Sequence, residues 1–207
     1  HCWDESTIQV GAIDWSTGVV AFLTPTEHPA GAFGRNAYVL WNIREGLTDP
    51  GQWMHDRTRQ KVVYRPFPDE DPDRLAARIA RPESLFRLLP GADQVTLRDL
   101  GLTMTNAPAG SAGLRAVKPP GAVDACQCAG LTLTRLTITH AAGQGIRTCQ
   151  CPGLAISQCR ISNCGAGGIT TLESLPADIH DNDVTDVGKT CFSAVAITGG
   201  GKSELGF

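Results

Sequence analysis

The chain repeats its apolar pattern every 23 residues, and that period limits its fold more than any other feature. Leu133, Ile156 and Ile179 fall at this spacing, as do Ile138, Ile161 and Val184, and Val123, Ile146 and Ile169. Between these anchors apolar and polar residues alternate, as in Leu131-Thr132-Leu133-Thr134, which is the strand period of two and not the helical period of about 3.6. A self-similar period of this length marks an array of stacked units, none of which can bury its apolar face alone.

One repeat reads as a strand at 131–134, a one-residue bend near Arg135, a strand at 136–139, a glycine-containing turn at 141–144 and a strand opening at Gly145-Ile146. Three short strands in 23 residues is the size of one turn of a parallel β-helix. The expected fold is therefore all-β, a right-handed parallel β-helix over 89–207 with its coils plainest over 95–198, preceded by a hairpin-rich segment over 1–88. Leu131, Leu133, Leu136, Ile138 and Ile146 should stack on Leu154, Ile156, Cys159, Ile161 and Ile169. Asn182 takes the inward place after Leu136 and Cys159, where an unpaired amide would be costly, so it is expected to bond backbone groups at the bend.

An earlier coil shows at Val95-Thr96-Leu97 and Leu102-Thr103-Met104. Leu97 precedes Leu133 by 36 residues, one period plus 13, which places an insertion within 107–120. A second insertion, of five residues, lies within Gly188 to Ala194, because Ile169 and Ile197 are 28 apart. Both fall at the same corner of the coil, and solenoid insertions gather on one face that is often the binding face. In the first segment, Ile8 to Phe22 alternates around Asp14-Trp15-Ser16-Thr17-Gly18 and Trp53 to Tyr64 around Arg57-Thr58-Arg59-Gln60, and both read as hairpins. Residues 72–89 read as a short helix or an edge strand.

The eight cysteines follow the repeat: Cys126 and Cys128 recur as Cys149 and Cys151. Zinc sites usually space paired cysteines by two residues, so C-x-C gives no metal expectation, and His1, His28, His55 and His180 show no ligand spacing. Cysteines stacked on adjacent coils would lie about 4.8 Å apart with parallel Cβ vectors, a poor disulfide geometry, so free packed thiols are expected. A net charge of −3 with no Lys/Arg cluster argues against nucleic acid, and no apolar run approaches the roughly 20 residues of a membrane helix. The expectation is no nucleic-acid partner and no membrane partner. Gly199-Gly200-Gly201-Lys202 lacks the glycine spacing of a phosphate loop, so no cofactor is expected. The chain begins at His1 and not at Met, which suggests a processed or excised segment.

The string Asn42-Ile43-Arg44-Glu45-Gly46-Leu47-Thr48-Asp49-Pro50-Gly51-Gln52-Trp53, followed by Asp56-Arg57, Val63-Tyr64 and Asp69-Glu70-Asp71-Pro72, resembles the segment that leads into the helix in a family of bacterial right-handed parallel β-helix repeat proteins. The similarity continues through Val95-Thr96-Leu97-Arg98-Asp99-Leu100, Asp181-Asn182-Asp183-Val184-Thr185-Asp186-Val187-Gly188 and Gly199-Gly200-Gly201-Lys202. Met54-His55 and Gln60 depart from it, standing where an aromatic-aliphatic pair and a turn glycine are usual. The resemblance implies a polysaccharide-active, glycoside-hydrolase-like protein, secreted or periplasmic, acting on a polysaccharide or oligosaccharide. Members of that family carry further coils that hold the reactive acids, so this chain resembles a fragment.

Glycoside hydrolysis normally needs two carboxylates, about 5–5.5 Å apart for retention or about 6.5–9.5 Å for inversion. No acid in 95–198, where the coils are plainest, recurs at the 23-residue spacing. The outward column Asp124, Arg147, Thr170 and Thr198 lies beside the insertion corner, where Asp124 and Arg147 read either as a surface ion pair or with Arg147 facing a uronate carboxylate. His140, Asn163 and Asp186 form another column there, and Glu173 follows the third strand of its coil. If these columns flank a saccharide groove, the candidate catalytic acids are Asp124, Glu173 and Asp186, and the candidate substrate-binding residues are His140, Arg147 and Asn163. The expected function is polysaccharide processing by carboxylate acid/base chemistry. The alternative is a carbohydrate-binding or structural module without catalysis. A lyase has least support, since only Arg147 and Lys118 could serve as its base near the groove.

Overall fold

The computed structural model describes residues 6–26, 29, 31, 34, 38–107, 119–189 and 196–200, which divide into one unit within 1–32 and 80–207 and another within 33–79. Both expected hairpins form. In the first, β1 (Val10–Asp14) pairs antiparallel with β2 (Val19–Phe22). Its turn is held by the Asp14 carboxylate, which accepts from the Ser16 and Thr17 amides at 2.9 and 3.3 Å, and these bonds with the two hydroxyls draw its pKa down to about 2.

In the second, β3 (Trp53–Asp56) pairs with β4 (Lys61–Tyr64), and Gln60 itself takes the left-handed turn position, φ 52°, where the resembled segment has glycine. The residues that carry the resemblance here are fastenings. Asn42 Nδ2 donates to the His55 carbonyl and Asn42 Oδ1 accepts from its amide, at 3.0 and 2.6 Å. Gly51, at φ 85°, sits so close to Phe67 that a Cβ there would collide with the ring. Tyr64 Oη donates to Glu70 at 2.6 Å, and that carboxylate raises the phenol's pKa.

From residue 86 onward every strand among the described residues is parallel to its neighbours, in three sheets. The first holds β6 (Thr96–Arg98), β9 (Thr132–Thr134), β12 (Leu154–Ser157) and β15 (Ala177–His180). The second holds β7 (Gly101–Thr105), β10 (Thr137–Ala141), β13 (Arg160–Ser162) and β16 (Asp183–Thr185). The third holds β5 (Phe86–Leu88), β8 (Gly121–Cys126), β11 (Gln144–Cys149), β14 (Ile169–Leu172) and β17 (Ile197–Gly200). Within 72–89 the chain forms a 3-10 turn at Pro72–Arg74 and then β5, so the parallel sheets open at Phe86, three residues ahead of the sequence-drawn boundary.

The register follows the sequence period. Leu133, Ile156 and Ile179 are Cα partners, as are Ile138, Ile161 and Val184, and Val123, Ile146 and Ile169. The buried core joins inward residues of all three sheets, and each fully buried aliphatic contributes roughly 1.5–3 kcal/mol. Asn182 ties the bend as expected, accepting from the Cys159 amide and donating to the Ile156 carbonyl, both at 2.9 Å. The pairing of Ala141 with Thr105 but of Gln144 with Gly121 confines the first insertion to 106–120, of which 108–118 lie outside the described residues. Similarly, Ser162 pairs with Thr185 while Ile169 pairs with Ile197, so the second insertion also joins a second-sheet strand to a third-sheet strand. Its residues 190–195, and Lys118, His1 and His28, are outside the described set.

What the sequence reading anticipated at one place only, near Arg135, occurs four times per repeat. Single residues in the left-handed region form columns at Asp99, Arg135, Gln158 and Asp181; at Met104, His140, Asn163 and Asp186; at Gln127, Gln150 and Glu173; and at Gln94, Gly130 and Gly153. Each lies at or beside a strand end and bends the chain within one residue. A non-glycine residue there costs roughly 1–2 kcal/mol, against the roughly 0.5–1 kcal/mol of chain entropy that glycine would lose. Gln158, at φ 54° and exposed, carries no side-chain hydrogen bond among the described residues. Gln158→Gly is therefore expected to stabilise the protein by about 0.5–1 kcal/mol in urea unfolding, whereas a loss of stability would contradict the left-handed assignment.

Candidate functional site

The third sheet carries the outward column inferred from the sequence: Arg147 pairs in register with Asp124 and Thr170, and Thr170 with Thr198. Asp124 is only 7% exposed. Its carboxylate accepts from the Gly121 amide at 3.0 Å and faces Arg147 Nη1 at 3.4 Å, so the two form an ion pair, but a largely buried one where the sequence suggested a surface pair. Arg87, on β5, is the register partner of Asp124 on the other side.

His140, Asn163 and Asp186 occupy one left-handed corner column beside the insertions. There Asp186 accepts from Lys189 Nζ at 2.8 Å. Glu173 belongs to the opposite corner, at the far end of the third sheet, where an amide ladder reaches it: Gln127 donates to Gln150 at 3.0 Å, and Gln150 donates to Glu173 at 2.8 Å. Asp124, Glu173 and Asp186 thus stand in three separate columns, each held by a neighbouring cation or amide. Two strand spacings and three residue rises put the Asp124 and Glu173 Cα atoms about 14 Å apart.

A groove of about 590 Å³ opens elsewhere, at the bend between the first and second sheets. Two outward columns line it, Arg135, Gln158 and Asp181 at the left-handed corner and Thr137, Arg160 and Asp183 on the second sheet, with Cys159 between them. Arg135 is committed, since its Nε and Nη2 reach the two Asp99 oxygens at 2.6 and 2.7 Å, which lowers the pKa of Asp99 and raises its own. Arg160 and Asp183 carry no side-chain hydrogen bond or ion pair among the described residues, although their Cα atoms are register partners. At one end, His180 Nδ1 lies 3.0 Å from Asp181 Oδ2 and its Nε2 lies 3.9 Å from Asp178.

Sequence reasoning missed this groove although its columns obey the period. A two-carboxylate site predicts acid stacked on acid, whereas these columns mix a guanidinium, an amide and a carboxylate, and the link to Asp99 spans 36 residues. No protein-family model, curated protein or solved structure matches the chain.

The hydrogen bond to Asp181, aided by the charges of Asp178 and Asp181, raises the His180 pKa above its ordinary 6.5. The attraction is complete below the ordinary value and is lost as pH rises through the raised one. An NMR titration should place His180 above 6.5, with Asp181→Asn bringing it down, and a midpoint at or below the ordinary value would contradict the contact.

Proposed function

We propose that the 23-residue repeats wind into a right-handed parallel β-helix that forms part of a polysaccharide-processing protein of the glycoside hydrolase type. Three parallel sheets, each receiving one strand per repeat, support the winding, and parallel crossovers are right-handed in about 98% of cases. The resemblance carried by Asn42–Trp53 and Asp181–Gly188 supports the polysaccharide, and with it a secreted or periplasmic setting. The observation that carries the reading is the groove: an open channel across successive strands, lined by hydroxyl, amide, guanidinium and carboxylate groups and ending at two acids.

Such a surface suits a chain of sugar hydroxyls. Gln158 and Thr137 offer donors and acceptors, and Arg160 offers an uncommitted fork that fits a carboxylate or a pair of hydroxyls. Of the two acids, Asp183 is free to act as base or nucleophile toward the anomeric carbon. Asp181, beside His180, would hand a proton to the leaving oxygen through that pair. The acids named from the sequence, Asp124, Glu173 and Asp186, are already tied to Arg147, Gln150 and Lys189. Those ties favour a second reading, in which the chain holds saccharide and leaves cleavage to other residues.

A polysaccharide panel followed for reducing ends, for unsaturated products and for binding separates these readings. In the first, Asp183→Asn lowers turnover by about 10²–10⁴-fold with binding retained, and Arg160→Ala weakens binding. Binding without any new reducing ends would select the second. If Arg160→Ala, Asp183→Asn and alanine at Asp124, Glu173 and Asp186 all left binding and turnover unchanged, both would fail.

A further inference from the structure

The six described cysteines are all free, but they do not share one environment. Cys128, Cys151, Cys159 and Cys164 are buried, with each Sγ near a backbone carbonyl. Cys126 and Cys149 are only half-buried. They are Cα partners at the ends of β8 and β11, and strand alternation puts both on the outer side, since Ala125 and Thr148 before them are wholly buried. The pairing that brings these thiols together is the interval from one repeat to the next, and not the C-x-C interval within a repeat.

We infer that Cys126 and Cys149 form a two-thiolate binding site for a soft monovalent cation of the copper(I) or silver(I) class. A disulfide suits the pair poorly, because side chains in register on parallel strands point the same way and do not converge. A bridging ion suits it well. Two metal–sulfur bonds of about 2.3 Å in line span about 4.6 Å, close to the strand spacing of about 4.8 Å. Among the described residues no group of three or more His, Cys, Asp or Glu side chains could hold a metal, so the tetrahedral shell of zinc is not available and linear two-coordination is. Soft thiolate donors select monovalent copper over harder ions. Leu172, the next residue in the same column, gives the pair an apolar neighbour. Arg147 lies two residues before Cys149 on the same side of β11, and its charge favours the Cys149 thiolate while that of Glu173 opposes it.

Binding exchanges two S–H bonds for two S–metal bonds and releases two protons, leaving a complex of net charge −1 with no change of oxidation state. Burial and the neighbouring Cys126 thiol hold the Cys149 thiol up at about 11.

The test is anaerobic competition between the reduced protein and a chromophoric copper(I) chelator, with copper(I) as the probe. One ion is expected to transfer per chain. Cys126→Ser and Cys149→Ser should each weaken uptake at least a hundredfold. A second measurement needs no variant: copper(I) should protect Cys126 and Cys149 of the unaltered protein from alkylation, as mapped by peptide mass spectrometry. No uptake, undiminished uptake in the folded single variants, or protection confined to other cysteines would overturn the site.

Discussion

Parallel pairing at a fixed offset of 23 residues is the constraint on which the rest of this structure depends. A strand has a side-chain period of two, so a slip of one residue would turn Ile156, Ile161 and Ile169 outward and bring their polar neighbours into the core. The left-handed corner residues prevent this. By taking up the change of direction in a single residue, they deliver each strand to its sheet with the apolar side inward. Where a corner is not glycine, hydrogen bonds to the next repeat can offset its strain, as in the Asp99–Arg135 pair and the Gln127–Gln150–Glu173 ladder.

The same arithmetic explains which parts of the molecule were legible in the sequence. Apolar columns and strand alternation are local and periodic, so the inward stacks, both hairpins, the place of both insertions and the role of Asn182 could be read directly. The strand Phe86–Leu88 could not, because it is short and lies 37 residues from Val123, outside the clean period. The corners were seen only at Arg135, because Asp, Asn and Gly alternate in these columns with Gln, His, Arg and Met, so no single residue type that favours a left-handed bend recurs at the 23-residue spacing. The groove was hidden for a different reason: its columns change chemical type from one repeat to the next, so no residue class recurs to announce it.

Placement of the polar residues separates positions that build the fold from positions free to do chemistry. Asp124, Glu173 and Asp186 came forward because they are acids on outward columns, and the structure gives each a partner that accounts for its charge. Arg160 and Asp183 have none among the described residues, and both face the groove at the first bend. The proposed saccharide chemistry rests on that contrast. The thiol pair on the third sheet follows the same logic, since Cys126 and Cys149 are the described thiols that the core does not enclose.

Backbone contacts across the parallel strands test the central claim most directly. In an isotope-labelled sample, NOEs between amide and α protons should connect Ala155 with the Leu131–Leu133 stretch, Arg160 with Leu136–Ile138 and Ile169 with Ile146 and its neighbours, all at the 23-residue offset. Close α-to-α proton contacts of antiparallel pairs, or the same set displaced by one residue, would contradict the account.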